Sequence, residues 1–148
     1  MNHPSPVKHP KGLFVLFFTE MWERFSYYGM RAILVLYATN GLLMSDNDAQ
    51  DGVYGTYTGL IWLTPIFGGY VADRFWGNRR SIITGGFLMA AGQFVMFISA
   101  SFYENIALAH TIMWIGLVLL ILGMGLFKPN ISTMVGQLYP AGDRRLDS

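Results

Sequence analysis

Leu13 to Leu43 reads LFVLFFTEMWERFSYYGMRAILVLYATNGLL. The run is longer than the about 20 apolar residues that a bilayer core requires of a helix. The tail before it, Met1 to Gly12, is polar and carries Pro4, Pro6 and Pro10. It has neither the short apolar core nor the small-residue cleavage site of a signal peptide, so the run is expected to stay in the membrane. Within it, Glu20, Glu23, Arg24, Tyr27, Tyr28 and Arg31 fall at offsets 0, 3, 4, 7, 8 and 11. At helical periodicity these residues share one face. The remaining positions are Phe, Leu, Met, Ile and Val, which suit lipid or a packed neighbour.

Three further apolar segments follow, at about 53–75, 81–102 and 107–139. The second and third carry almost no charge on any face, which argues against amphipathic surface helices. Apolar residues make up 53% of the 148-residue chain and charged residues 13%, about half the usual charged share of roughly 25%. Many of the four Trp, eight Tyr and eleven Phe lie near the ends of the apolar runs, as interfacial side chains do. The expected fold is therefore an all-α membrane protein with four transmembrane helices over 13–139. Residues 1–12 form an N-terminal tail and 140–148 a closing segment. Charge sets the orientation. Lys8, Lys11, Arg74, Arg79, Arg80, Arg144 and Arg145 flank one side of the four segments. The other two connections hold Asp46, Asp48, Asp51 and Glu104 and no basic residue. The positive-inside rule places both termini and the 2–3 loop in the cytoplasm.

Glu20, Glu23, Arg24, Arg31 and Lys128 remain inside apolar segments. Ionisable residues there are costly and face a bundle interior or a water-filled cavity. Entering from the cytoplasm, Glu20 to Arg24 lie roughly 10–17 Å deep and Lys128 roughly 17 Å deep on the fourth helix. A cluster of two acids with Arg24 and Lys128 nearly neutralises itself, which lowers the cost of burial. A buried carboxyl takes up a proton readily once its cationic partner leaves, because a lone charge is costly away from water. The freed cation can then bind an anionic substrate group. The plain alternative is a structural ion pair that fixes helix register. Arg31 has its own alternative, reaching outward to the interface. Pro129, beside Lys128 and after Gly123 and Gly125, suits either a broken, substrate-lining helix or a simple packing kink. There is no cysteine, and His3, His9 and His110 form no ligand set with the glutamates, so no metal is expected. No nucleophile motif is present, so no catalytic residues and no enzyme are expected. The basic residues flank helices rather than forming a stripe, which excludes nucleic acid.

Glu20-Met-Trp-Glu23-Arg24-Phe25-Ser-Tyr27-Tyr28-Gly29 resembles the E-x-x-E-R-F-x-Y-Y-G signature of the proton-dependent oligopeptide transporters (POT/PTR). Gly69-Tyr-Val-Ala-Asp73-Arg74-Phe-Trp-Gly77-Asn-Arg79-Arg80 resembles the motif between helices 2 and 3 throughout the major facilitator superfamily. Phe127-Lys128-Pro129-Asn130 resembles the family's fourth-helix segment. The resemblance implies symport of di- and tripeptides with protons by alternating access, with the proton as coupling ion and no other cofactor. Glu20, Glu23, Arg24 and Lys128 would form the proton-coupling network. Arg24, Tyr27, Tyr28, Arg31, Trp62 and Lys128 would contact peptide, Lys128 at its carboxylate. Trp62 stands where members often have a pocket Tyr, so a phenolic hydroxyl is exchanged for an indole. Asp73, Arg74 and Pro129 would serve gating or structure, with Asp73 capping or pairing near the third helix, or else a solvated loop charge.

Such proteins have about twelve helices in two halves. The four segments are then expected to be the first part of the N-terminal six-helix bundle. They would be inactive alone and partnered by the lipid bilayer and the remaining helices of a full-length transporter. The implied location is a bacterial inner (plasma) membrane, multi-pass. Two other readings compete: the same fold carrying another anion, such as nitrate or a modified amino acid, and a four-helix membrane scaffold that transports nothing.

Overall fold

The computed structural model describes residues 10–138. The expected tail up to residue 9 and the closing segment from Tyr139, with Lys8, Arg144 and Arg145, lie outside the described residues. The chain is all-helical: α1 Lys11–Leu36, α2 Thr56–Val71, α3 Asn78–Ser101 and α4 Ile106–Gln137. Wider π-helical turns extend α1 through Tyr37–Gly41, precede α2 at Asp48–Gly55 and follow it at Ala72–Trp76. Helix thus begins earlier before the second segment than its polar sequence suggests. Ser45 Oγ accepts from the Asp48 backbone N–H at 3.2 Å and donates to the Asp48 carboxylate at 2.7 Å. This reciprocal cap satisfies donors that a helix start leaves free. Gly77, at φ +76°, turns the chain between the Ala72–Trp76 turn and α3. Left-handed backbone of this kind suits a residue without a Cβ.

Two of the four helices, α3 and α4, are long and apolar enough by themselves to cross a membrane, with mean hydropathies of 1.7 and 2.3. The other two depart from the expected pattern for separate reasons. Glu20, Glu23 and Arg24 sit near the middle of α1. The α-helical part of α2 has only 16 residues.

The central helix is α4, packed most extensively against α3 and next against α2. The reason is a seven-residue repeat of small side chains. Gly85, Gly92 and Ser99 on α3 meet Gly123, Gly116 and Ala109 on the antiparallel α4. A Cβ on Gly85 would stand 2.7 Å from the Gly123 carbonyl oxygen, and one on Gly123 would stand 2.8 Å from the Gly85 carbonyl. Ser99, fully buried, donates to the Ala109 carbonyl at 2.6 Å. Helices in lipid gain little from the hydrophobic effect, so such close backbone approach is what drives their pairing. On its other side α4 meets α2, where Gly68 abuts the Gly125 carbonyl and Thr64 Oγ1 donates to the Ile121 carbonyl at 3.3 Å.

Of the two readings of Pro129, the broken helix is not the one seen: α4 runs continuously from Ile106 to Gln137. Proline deprives the carbonyl four residues back, that of Gly125, of its N–H. That carbonyl faces Gly68, where a Cα–H···O contact replaces part of what was lost. The next carbonyl, of Leu126, accepts from Asn130 Nδ2 at 2.6 Å.

Candidate functional site

The polar face of α1 divides along its length. Glu23 and Tyr27 are buried, Glu20, Arg24 and Arg31 are half-buried, and Tyr28 is exposed. Arg24 bridges both acids. Its Nη2 lies 3.5 Å from Glu20 and its Nε lies 3.3 Å from Glu23 Oε2. The Glu20 pairing follows from the sequence spacing, since residues four apart stand one above the other on a helix, whereas Glu23 is the immediate neighbour of Arg24. Glu23 is only 6% exposed, and its second oxygen, Oε1, has no hydrogen-bond partner among the described residues.

Glu23 borders a cavity of about 370 Å³ between α1, α3, the start of α2 and the middle of α4. Ser26, Tyr27, Tyr57 and Gln93 supply its other polar groups, and Met89, Met124 and Phe127 much of its apolar wall. Gln93 Nε2 donates to Ser26 Oγ at 3.1 Å, tying α3 to α1 across this space. Ser26, Tyr57 and Gln93 were not singled out by sequence. Tyr57 lies just three residues beyond Tyr54, and that aromatic pair at helical spacing was the available signal.

Arg31 engages two tyrosines. Its Nε donates to the Tyr54 hydroxyl at 2.9 Å and its Nη1 to the Tyr27 hydroxyl at 3.5 Å. Its guanidinium also stands over both rings, at 5.3 Å from Tyr54 and 5.5 Å from Tyr27. Tyr28 turns away from this group and meets Tyr27 edge-on at 5.4 Å.

Lys128 makes no ion pair within 4.0 Å with Glu20, Glu23 or any other acid among the described residues. Its ammonium instead stands over the Trp62 indole, 4.6 Å from the ring centre. The sequence-derived cluster is therefore split: the acids and Arg24 on α1, and Lys128 with Trp62 where α2 meets α4. Asp73 is exposed in the turn after α2 and neither caps nor pairs among the described residues. The N-cap of α3 is Gly77, four residues on, with no side-chain cap. Arg74 reaches the Tyr70 hydroxyl at 3.1 Å and stands over the Tyr70 and Phe75 rings. His110 accepts from Trp114 at 3.2 Å. No metal-binding group of three His, Asp or Glu occurs among the described residues.

Comparison with known proteins gives this arrangement a context. The sequence profile of the POT family (PTR2) matches residues 79–148. The chain is 44% identical to the uncharacterised transporter YclF of Bacillus subtilis (strain 168), over 95% of this chain and 28% of the relative. It is also 44% identical to a di-/tripeptide transporter of Lactococcus lactis subsp. lactis (strain IL1403), over 94% of this chain and 28% of the relative. Among solved structures, a peptide transporter POT variant in complex with sulfate superposes with a TM-score of 0.81 at 41% identity. That match covers 94% of this chain and 27% of the solved one. The same transporter with alafosfalin superposes at a TM-score of 0.78 and 42% identity, over 94% of this chain and 28% of that one. The chain spans about 28% of the length of the relatives it matches. The family profile, the identity across nearly all its residues and the shared helical arrangement make the chain similar to the first part of POT-family peptide transporters.

Proposed function

We infer that these four helices are the first part of the N-terminal bundle of a proton-coupled transporter of di- and tripeptides. The observation that carries this reading is Glu23: a buried carboxylate, one oxygen on Arg24 and the other unpaired beside a cavity. A proton on Glu23 weakens its hold on Arg24, and a cation so freed is available to a substrate carboxylate. Removing the proton restores the pair. Proton and substrate are coupled through one network in this way. Lys128, with no acid within 4.0 Å among the described residues, is the second cation for the peptide carboxylate. Arg31 with Tyr27 and Tyr54 forms a polar wall further along α1. The flanking basic residues support a cytoplasmic N-terminus, with the helices in the plasma membrane of a bacterium. A transport cycle by alternating access requires both halves of such a fold, so the activity belongs to the whole transporter.

The test uses a hybrid in which these residues replace the matching stretch of the Lactococcus transporter, reconstituted in liposomes beside the 148-residue chain alone. An imposed inward proton gradient should drive labelled dipeptide into the hybrid liposomes and not into those with the chain alone. A correctly inserted hybrid that ignores dipeptide but accumulates nitrate or a modified amino acid would overturn the peptide reading.

A further inference from the structure

We propose that Trp62 is a positioning residue for Lys128, its indole face holding the ammonium in place and ready for a substrate's carboxylate. The proposal rests on the reading of Lys128 as a substrate cation and adds what keeps that cation available.

Lys128 lies in the more apolar of the two helices long enough by themselves to cross a membrane, where an ammonium needs a partner. The nearest acids would be the obvious choice, yet both already share Arg24. The partner found is the face of Trp62, at 4.6 Å from its centre. Of the aromatic side chains, Trp offers a cation the strongest ring attraction. An aromatic face holds a cation without neutralising it, so the ammonium keeps its full charge and its N–H donors for an incoming anion. A carboxylate partner would consume both.

The backbone fixes this placement. The α2 and α4 axes run in the same sense and touch where Gly68 meets Gly125 and Thr64 bonds to Ile121. Gly69 stands against Pro129, the neighbour of Lys128, with its added Cβ 3.7 Å away. Three small or short residues on α2 therefore bring its backbone close enough for Trp62 to reach across to Lys128. Trp62 is itself 66% exposed, so its contact with Lys128 is not enforced by burial of the indole in a core.

The contact is tested in the hybrid transporter with fluorinated tryptophans placed at position 62 by nonsense suppression. Fluorine withdraws charge from the ring face and changes its shape little. The first readout is the ¹⁹F resonance of 5-fluorotryptophan at this position without peptide. It should shift on Lys128→Met, and an unchanged resonance overturns the contact. The second readout is dipeptide KM and kcat across the mono-, di- and trifluorinated series. KM should rise stepwise, by about 2- to 30-fold over the series, the span expected from weakening one cation–π contact, with kcat unchanged. A flat KM, or a fall in kcat alone, overturns the positioning role. Failure of the hybrid to take up any peptide would count against the transport reading, while the ¹⁹F shift still decides the contact.

Discussion

The two sides of this bundle are joined by different physics. Where α3 meets α4, glycines at seven-residue spacing let the backbones touch, and no charged side chain takes part. Where α1 meets its neighbours, the ties are polar: Ser26 with Gln93, Tyr37 with Ser99, and Arg31 with Tyr54. A glycine seam has no slack, because any added atom meets backbone. Hydrogen bonds between side chains can be exchanged for others at small cost, and a cavity of about 370 Å³ separates α1 from α3. The difference assigns the roles. The α2–α3–α4 side is a close-packed frame, and under the proposed function α1, which carries the ionisable face, is the element whose contacts would be remade.

The largest effect should follow from filling the seam. Gly123→Leu places atoms where the Gly85 carbonyl and Met89 already stand. Overpacking of this kind costs about 3 kcal/mol, and the backbone has no room to relax. Thermal unfolding of the purified hybrid should show a large loss of stability or no folded protein. A fully stable variant would break the distinction between frame and mobile helix. Glu23→Gln should do the opposite. It conserves shape and removes a charge whose only close ion pair among the described residues is with Arg24, so the fold should hold while proton-driven accumulation is abolished and peptide exchange across the liposome persists. Accumulation at the unmutated level would sink the role of Glu23. Tyr54→Phe comes next. It removes the hydroxyl that accepts from Arg31 but keeps the ring beneath it. A hydrogen bond to a charged group contributes about 1.5–3 kcal/mol. Since Tyr27 and the ring remain, peptide KM should rise only roughly tenfold, with stability little changed.

How much of this could be read from sequence follows the same division. Four helices were legible because bilayer length and apolar runs leave few other solutions. The Glu20–Arg24 pair was legible because i,i+4 geometry is local. The heptad Gly85, Gly92, Ser99 was legible in principle as a small-residue stripe, though only the glycines of α4 drew notice. What could not be read depended on distances between helices. Depth along the membrane suggested that Lys128 would meet the glutamates, but depth says nothing about azimuth, and Lys128 faces α2 instead. Tyr54 lay inside the second apolar segment, but its bond to Arg31 joins two helices and no local spacing announces it. Pro129 left both break and kink open because its partner carbonyl's new environment, Gly68, comes from another helix.

The smallest expected effect lies where the two regions meet. Ser99 belongs to the seam and also bonds to Tyr37 at the end of α1, at 2.7 Å. Ser99→Ala keeps the small volume that the seam requires, so no overpacking follows, and it removes both the Tyr37 contact and the bond to the Ala109 carbonyl. Tyr37→Phe removes only the first. Interhelical hydrogen bonds in membrane proteins average about 0.6 kcal/mol. Each single substitution should therefore lower stability by about that amount or slightly more, Ser99→Ala the more strongly. The double variant is the informative one. If the hydroxyl pair is the latch between α1 and the frame, its loss is counted once, and the double variant should be less destabilised than the sum of the singles by about 0.6 kcal/mol. Simple additivity would mean that α1 is held there by packing alone, and the contrast between a polar-tied helix and a glycine-packed frame would not extend to this end of the bundle.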